Sequence, residues 1–126
     1  LQALAGGEAL IPASGDARWD MLRRHALANG MLDLLILWRN EKAKPHPHDK
    51  LLAACTAKST AVLARFESEV PGERADLASI TTAIAGDYMD FRFPDLQWRD
   101  RCPKLARWHA RFAQRPSMLA TAIVDA

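Results

Sequence analysis

Residues 76–116 constrain the fold more than any other stretch. Asp76-Leu77-Ala78-Ser79 is a helix-start signature, and Ile80, Ala83, Ile84, Tyr88 and Phe91 follow it at helical steps. The Asp76 carboxylate can accept the backbone N–H of Ser79, an interaction worth about 1 kcal/mol. Ser79 can reach back to the Asp76 backbone, more weakly than a carboxylate would. The string Phe93-Pro94-Asp95-Leu96-Gln97-Trp98 then reads as a loop rich in apolar anchors. Pro103 suits the first turn of a further helix with Leu105, Trp108 and Phe112 facing inward. Pro116 opens a short last helix running through Met118, Leu119 and Ile123.

The first half is read the same way. Gly6-Gly7 and the segment from Ile11 to Asp16 are turn chemistry, and Asp16 is the expected N-cap of a helix reaching about Lys42. Its expected inward positions are Trp19, Leu22, Ala26, Leu27, Met31, Leu34, Leu35 and Trp38. Such a helix is roughly 40 Å long. Pro45 and Pro47 end it. A second periodic stretch runs from about Asp49 to Val70, with Leu52, Cys55, Ser59, Val62, Leu63 and Phe66 on one side, and Pro71-Gly72 closes it. No segment alternates as a strand requires. The predicted class is all-α: a bundle of about five helices, two of them long and antiparallel.

Composition narrows the function classes. The 126 residues can bury a core, and 49% hydrophobic with 25% charged is ordinary for a globular protein. No apolar run approaches the ~18 residues that span a bilayer, and no signal peptide is visible. A net charge of +2 is too small for a nucleic-acid footprint. The late basic residues Arg99, Arg101, Lys104, Arg107, Arg111 and Arg115 read as a solvated helix face rather than a phosphate site. Cys55 and Cys102 form neither a metal motif nor a disulfide framework, so a reduced, cytoplasmic setting is expected. The start at Leu1, without methionine, is expected of a fragment or processed chain.

Candidate chemistry is sparse. Asn29 and Asp33 lie four residues apart beside Ala26 and Ile36, so one flank mixes polar and apolar groups. Either it is solvated and locally hydrogen-bonded, or it borders a cleft. Asp87 falls within an apolar stripe and should be hydrogen-bonded if buried. Tyr88, the only tyrosine, is either a core residue with one satisfied polar end or a ligand contact. Arg92 is a weaker candidate beside the loop. His46 and His48 are too close together to form a metal site alone, and no metal is expected. His25 and His109 stand isolated, without a nucleophile at recognisable spacing. Trp19, Trp38, Trp98 and Trp108 read as core and loop anchors.

Taken in order, Leu4 to Pro12, Ala17-Arg18-Trp19, Asp90-Phe91-Arg92-Phe93-Pro94 and Arg115-Pro116-Ser117 resemble the C-terminal helical domain of bacterial cytosolic glutathione transferases. The resemblance implies that residues 1–126 are that domain, with the N-terminal thioredoxin-like domain absent from this chain. It implies glutathione as co-substrate of the parent and a hydrophobic electrophile as its second substrate. The chain alone is then expected to be inactive and not to bind glutathione tightly. Asn29, Asp33 and Ile36 would face the glutathione side, Tyr88 and Arg92 the electrophile pocket, and Asp76 with Ser79 would form the structural cap. In the family the two cap residue types are exchanged. A homodimer is implied, with no nucleic-acid or membrane partner. The same fold also serves as a non-catalytic protein-interaction module. A helical DNA-binding regulator is disfavoured by the near-neutral charge and the lack of a short helix-turn-helix pair.

Overall fold

The computed structural model describes residues 9–124. Among them no strand forms, and six α-helices follow one another: α1 (Gly15–Lys42), α2 (Asp49–Ser68), α3 (Leu77–Arg92), α4 (Trp98–Arg101), α5 (Pro103–Phe112) and α6 (Pro116–Ala120). Gly6-Gly7 and the start of the Leu4-to-Pro12 motif lie outside the described residues. No described helix is long and apolar enough to cross a membrane.

α1 and α2 run antiparallel. Glu41, near the end of α1, accepts the His48 N–H at the start of α2 at 2.8 Å, while Arg23, near the start of α1, pairs with Glu69 just past the end of α2 at 2.9 Å. The α2 stripe is as expected, with Cys55, Ser59, Leu63 and Phe66 buried. α5 also buries Leu105, Trp108 and Phe112, and Pro103 opens it.

Other expectations are corrected. The N-cap of α1 is Ser14, without a side-chain hydrogen bond, and Asp16 sits inside the first turn, where its charge favours the helix dipole. α1 buries Met21, Ala28, Met31, Leu35 and Trp38, whereas Trp19 is 70% exposed and Ala26 is exposed. The 93–98 loop is partly helical: Pro94–Leu96 make a 3₁₀ turn, and Gln97, in the left-handed region at φ 45°, leads into α4. α6 ends at Ala120, so Ile123 lies beyond it.

α3 departs furthest from expectation. It buries Ala78, Ser79, Thr81, Thr82, Ala83, Ala85, Gly86 and Met89, while Ile84 is 41% exposed. Small residues allow the close approach of α1 on one side and α5 on another, space that isoleucine or phenylalanine would fill. The buried hydroxyls satisfy themselves locally: Thr81 and Thr82 donate to the carbonyls of Leu77 and Ala78 at 2.7 and 2.8 Å. At the helix start, Asp76 Oδ1 accepts the Ser79 N–H at 2.7 Å and the Asp76 N–H donates to Ser79 Oγ at 2.8 Å, completing a reciprocal box.

Two helices borrow their caps from elsewhere. Buried Glu41 takes the His48 N–H ahead of α2 and Lys44 Nζ at 2.6 Å. Glu67 of α2 accepts the N–H groups of Lys104 and Leu105 in the first turn of α5, at 3.1 and 2.9 Å.

Replacing Gly86 with alanine sets two effects against each other. Helix propensity favours alanine by about 1 kcal/mol. The added Cβ, however, would lie 2.6 Å from Cδ2 and 2.7 Å from Nε2 of the buried His109 ring. Overpacking of this kind costs about 1–3 kcal/mol. Gly86→Ala is therefore expected to lower the urea midpoint, and Gly86→Val to lower it further. Glu41 supplies a pH signature. Lys44, and then the His48 N–H, hold its carboxyl below the ordinary glutamate value of 4.5. A depressed folded-state value contributes stability that is present above the unfolded value and lost as pH falls through the folded one. The advantage of wild type over Glu41→Gln in urea unfolding should be full at pH 7 and shrink below about pH 4.5.

Candidate functional site

The densest polar chemistry lies between the C-terminal half of α3, α4 and α5. Asp87 and Asp90 are three residues apart on α3 and so share a side of it. His109 of α5 is buried beneath them, at 3% exposure. Arg99 of α4 donates to Asp90 at 2.6 and 3.2 Å and to His109 Nδ1 at 3.1 Å. A guanidinium only donates, so Nδ1 accepts and the ring proton sits on Nε2. Nε2 faces Asp87 Oδ1 at 3.0 Å and the Ala83 carbonyl at 3.1 Å. Trp98 Nε1 donates to Asp90 at 2.8 Å, and the Trp98 ring meets His109 edge-on, with centroids 5.5 Å apart.

Ligand atoms of Asp87, Asp90 and His109 lie within 4.8 Å of one another, a spacing that suits a metal ion. Arg99 already supplies the positive charge there. A divalent ion would have to displace its guanidinium from both Asp90 and His109.

Beside this cluster opens a cleft of about 390 Å³, lined by Asp87, Asp90 and Phe91 of α3 and by Met118, Leu119 and Ile123 from the end of the chain. A second groove, of about 520 Å³, lies between α1 and α2. Leu27, Leu34, Leu37 and Val62 line it, and its two charged residues are Asp33 and Lys58.

The structure disperses the residues singled out from the sequence. Asn29, Asp33 and Ile36 share one outward stripe of α1; Asn29 Nδ2 lies 3.4 Å from Asp33 Oδ2, and Ile36 is 47% exposed. Tyr88 is half-buried on α3, its hydroxyl accepting from Arg39 at 3.4 Å and its ring tilted against Phe93. Arg92 stacks its guanidinium on Phe91, 4.0 Å from the ring centroid. His109, read as isolated, is instead the hub of the polar cluster. Burial pushes both the Cys55 and Cys102 thiols up, and Glu67 adds to the effect on Cys102, so neither is an activated nucleophile. The contact of Asp87 with His109 spans 22 positions of sequence, and only the paired acids Asp87 and Asp90 hint at it.

No protein-family model and no curated protein matches the chain. Solved structures do. A glutathione transferase family member from Pseudomonas fluorescens Pf-5 with bound glutathione gives a TM-score of 0.93 at 40% identity, covering 98% of this chain and 63% of that one. A structure of that protein with bound S-(propanoic acid)-glutathione gives 0.89 at 42% identity, covering 94% and 63%. A glutathione S-transferase from Methylobacterium radiotolerans JCM 2831, in complex with glutathione sulfonate, gives 0.87 at 27% identity, covering 100% and 66%. The chain therefore spans just under two thirds of the length of these structures.

Proposed function

We propose that this chain, which has the fold of the C-terminal helical domain of the glutathione transferase family, is the electrophile-binding domain of a glutathione transferase. The observation that carries this reading is 42% identity, along 94% of the chain, to a family member that binds S-(propanoic acid)-glutathione. In the parent, an N-terminal thioredoxin-like domain would stabilise the glutathione thiolate, and the helical domain would present the apolar wall that captures the electrophile. Asn29, Asp33 and Ile36, on their outward stripe, would face the glutathione side, where a carboxylate suits the tripeptide's ammonium group. Tyr88 and Arg92, on the neighbouring helix, would border the electrophile.

The test uses full-length protein with glutathione and a chlorodinitrobenzene-type electrophile. Turnover is expected from the whole protein and none from residues 1–126 alone. Asp33→Ala should raise the KM for glutathione several-fold, on the order of the 1–2 kcal/mol carried by a charge-assisted hydrogen bond. Clear turnover by the isolated chain would end the reading. Full-length protein that neither turns over nor binds glutathione would leave the protein-interaction module in its place.

The α1–α2 groove is the face for a second copy of the chain. Its walls are apolar, Leu37 is 48% exposed, and it carries one acid and one base. Such a patch can meet its own copy across a two-fold axis. Sedimentation should show a dimer, and Leu37→Arg should convert it to monomer; a wild-type monomer at high concentration would refute the assignment.

A further inference from the structure

Among the described residues three tryptophans are buried, and two of them place their indole N–H on an acceptor. Trp98 Nε1 donates to Asp90 at 2.8 Å, and Trp108 Nε1 donates to the Gly72 carbonyl at 3.1 Å. Trp38 is 7% exposed, and no described residue accepts its N–H. A donor on a side chain buried to that degree calls for a partner. Its nitrogen is not sealed in the core, and the side chain lines a recess of about 290 Å³ beside the end of α1.

The other walls of the recess bring further donors. Lys42, the last residue of α1, holds its ammonium over the Phe93 ring, 5.6 Å from the centroid. It also offsets the carbonyl end of that helix. Arg101, the last residue of α4, donates from Nη2 to the Thr60 hydroxyl at 3.3 Å. Neither cation pairs with a described carboxylate. Glu41, next to Lys42, is occupied by Lys44 and the His48 N–H. Phe93 and Leu96 supply apolar surface, with the Phe93 ring tilted against Trp38 and the centroids 5.1 Å apart. Asp95 is the one carboxylate of the lining, so two positive charges face one negative.

We propose that this recess binds a small monocarboxylate bearing an apolar ring. The carboxylate accepts from the Trp38 N–H within reach of Lys42 and Arg101, and the ring lies on Phe93 and Leu96. Hydrogen bonds assisted by charge are the stronger ones, and here both cations can supply them. One negative charge balances the lining. Asp95 repels a second, so a dicarboxylate or a phosphate dianion is a poorer ligand. An apolar amine is poorer still, because it meets two cations and an N–H that needs an acceptor. The site shares no residue with the stripe of Asn29, Asp33 and Ile36, nor with Tyr88 and Arg92. Binding is therefore independent of glutathione and of the reading above.

The experiment titrates full-length protein with benzoate and follows the indole N–H resonances by NMR, with Trp38→Phe assigning the Trp38 signal. That signal should move downfield and saturate, while benzylamine and inorganic phosphate leave it in place. Lys42→Gln and Arg101→Gln should each weaken benzoate about tenfold, as loss of one charge-assisted bond implies. Asp95→Asn should tighten benzoate and admit phthalate, which wild type should bind severalfold more weakly than benzoate. Saturating glutathione should leave the benzoate affinity unchanged. A Trp38 signal that does not saturate in folded wild type, or that responds equally to benzylamine, would overturn the proposal. Undiminished binding by Lys42→Gln and Arg101→Gln would do the same; both side chains are exposed, and circular dichroism would verify that each variant keeps its helices. Displacement of benzoate by glutathione would move the binding to the conjugation site and so also overturn it. Full-length protein without transferase turnover would leave the proposal standing.

Discussion

The close approach of α3 to its neighbours is the constraint on which the rest of the molecule depends. Alanines, hydroxyl residues and Gly86 let the helix sit against α1 and against the His109 ring with no room for a methyl group at position 86. Packing at that density fixes where α5 lies, and α5 in turn places His109 under Asp87. The hydroxyls of Thr81 and Thr82 add no polar debt because each bonds within its own helix. The geometry of the polar cluster is therefore inherited from the core.

The ends of the helices follow a similar logic. Among the described helices of three turns or more, only α3 carries its own side-chain cap; α2 and α5 begin where a glutamate from elsewhere meets their free N–H groups. Glu41 ties α1 to the start of α2, and Glu67 ties α2 to the start of α5. Each contact satisfies backbone donors and fixes the angle at which two helices meet. Losing one would loosen a junction as well as unmask an amide.

How much of this was legible in the sequence depends on how many sides of each helix are apolar. α2 has one apolar stripe, and its buried set was readable from spacing, as was the start of α5 at Pro103. α1 and α3 have two. On α1 Trp19 lies outward while Met21, Ala28, Met31, Leu35 and Trp38 face the core, and on α3 Ile84 lies outward while small residues and Met89 are buried. Periodicity detects bulk before burial, so on α1 it finds Met31, Leu35 and Trp38 but also draws in exposed Trp19, and on α3 it finds Ala83 but also draws in exposed Ile84. The cluster of Asp87, Asp90, Arg99 and His109 was not readable because three helices supply it. The reciprocal box at Asp76 and Ser79 was readable because both partners lie within one turn.

The two cysteines bear on how the molecule can be observed. Cys55 and Cys102 are 1% and 3% exposed, and burial disfavours the thiolate of each. The chain thus offers no reactive sulfur at its surface while folded. A cysteine introduced on the exposed side of α1 or α3 would be a unique attachment point for a spin label or fluorophore, with the native residues left in place.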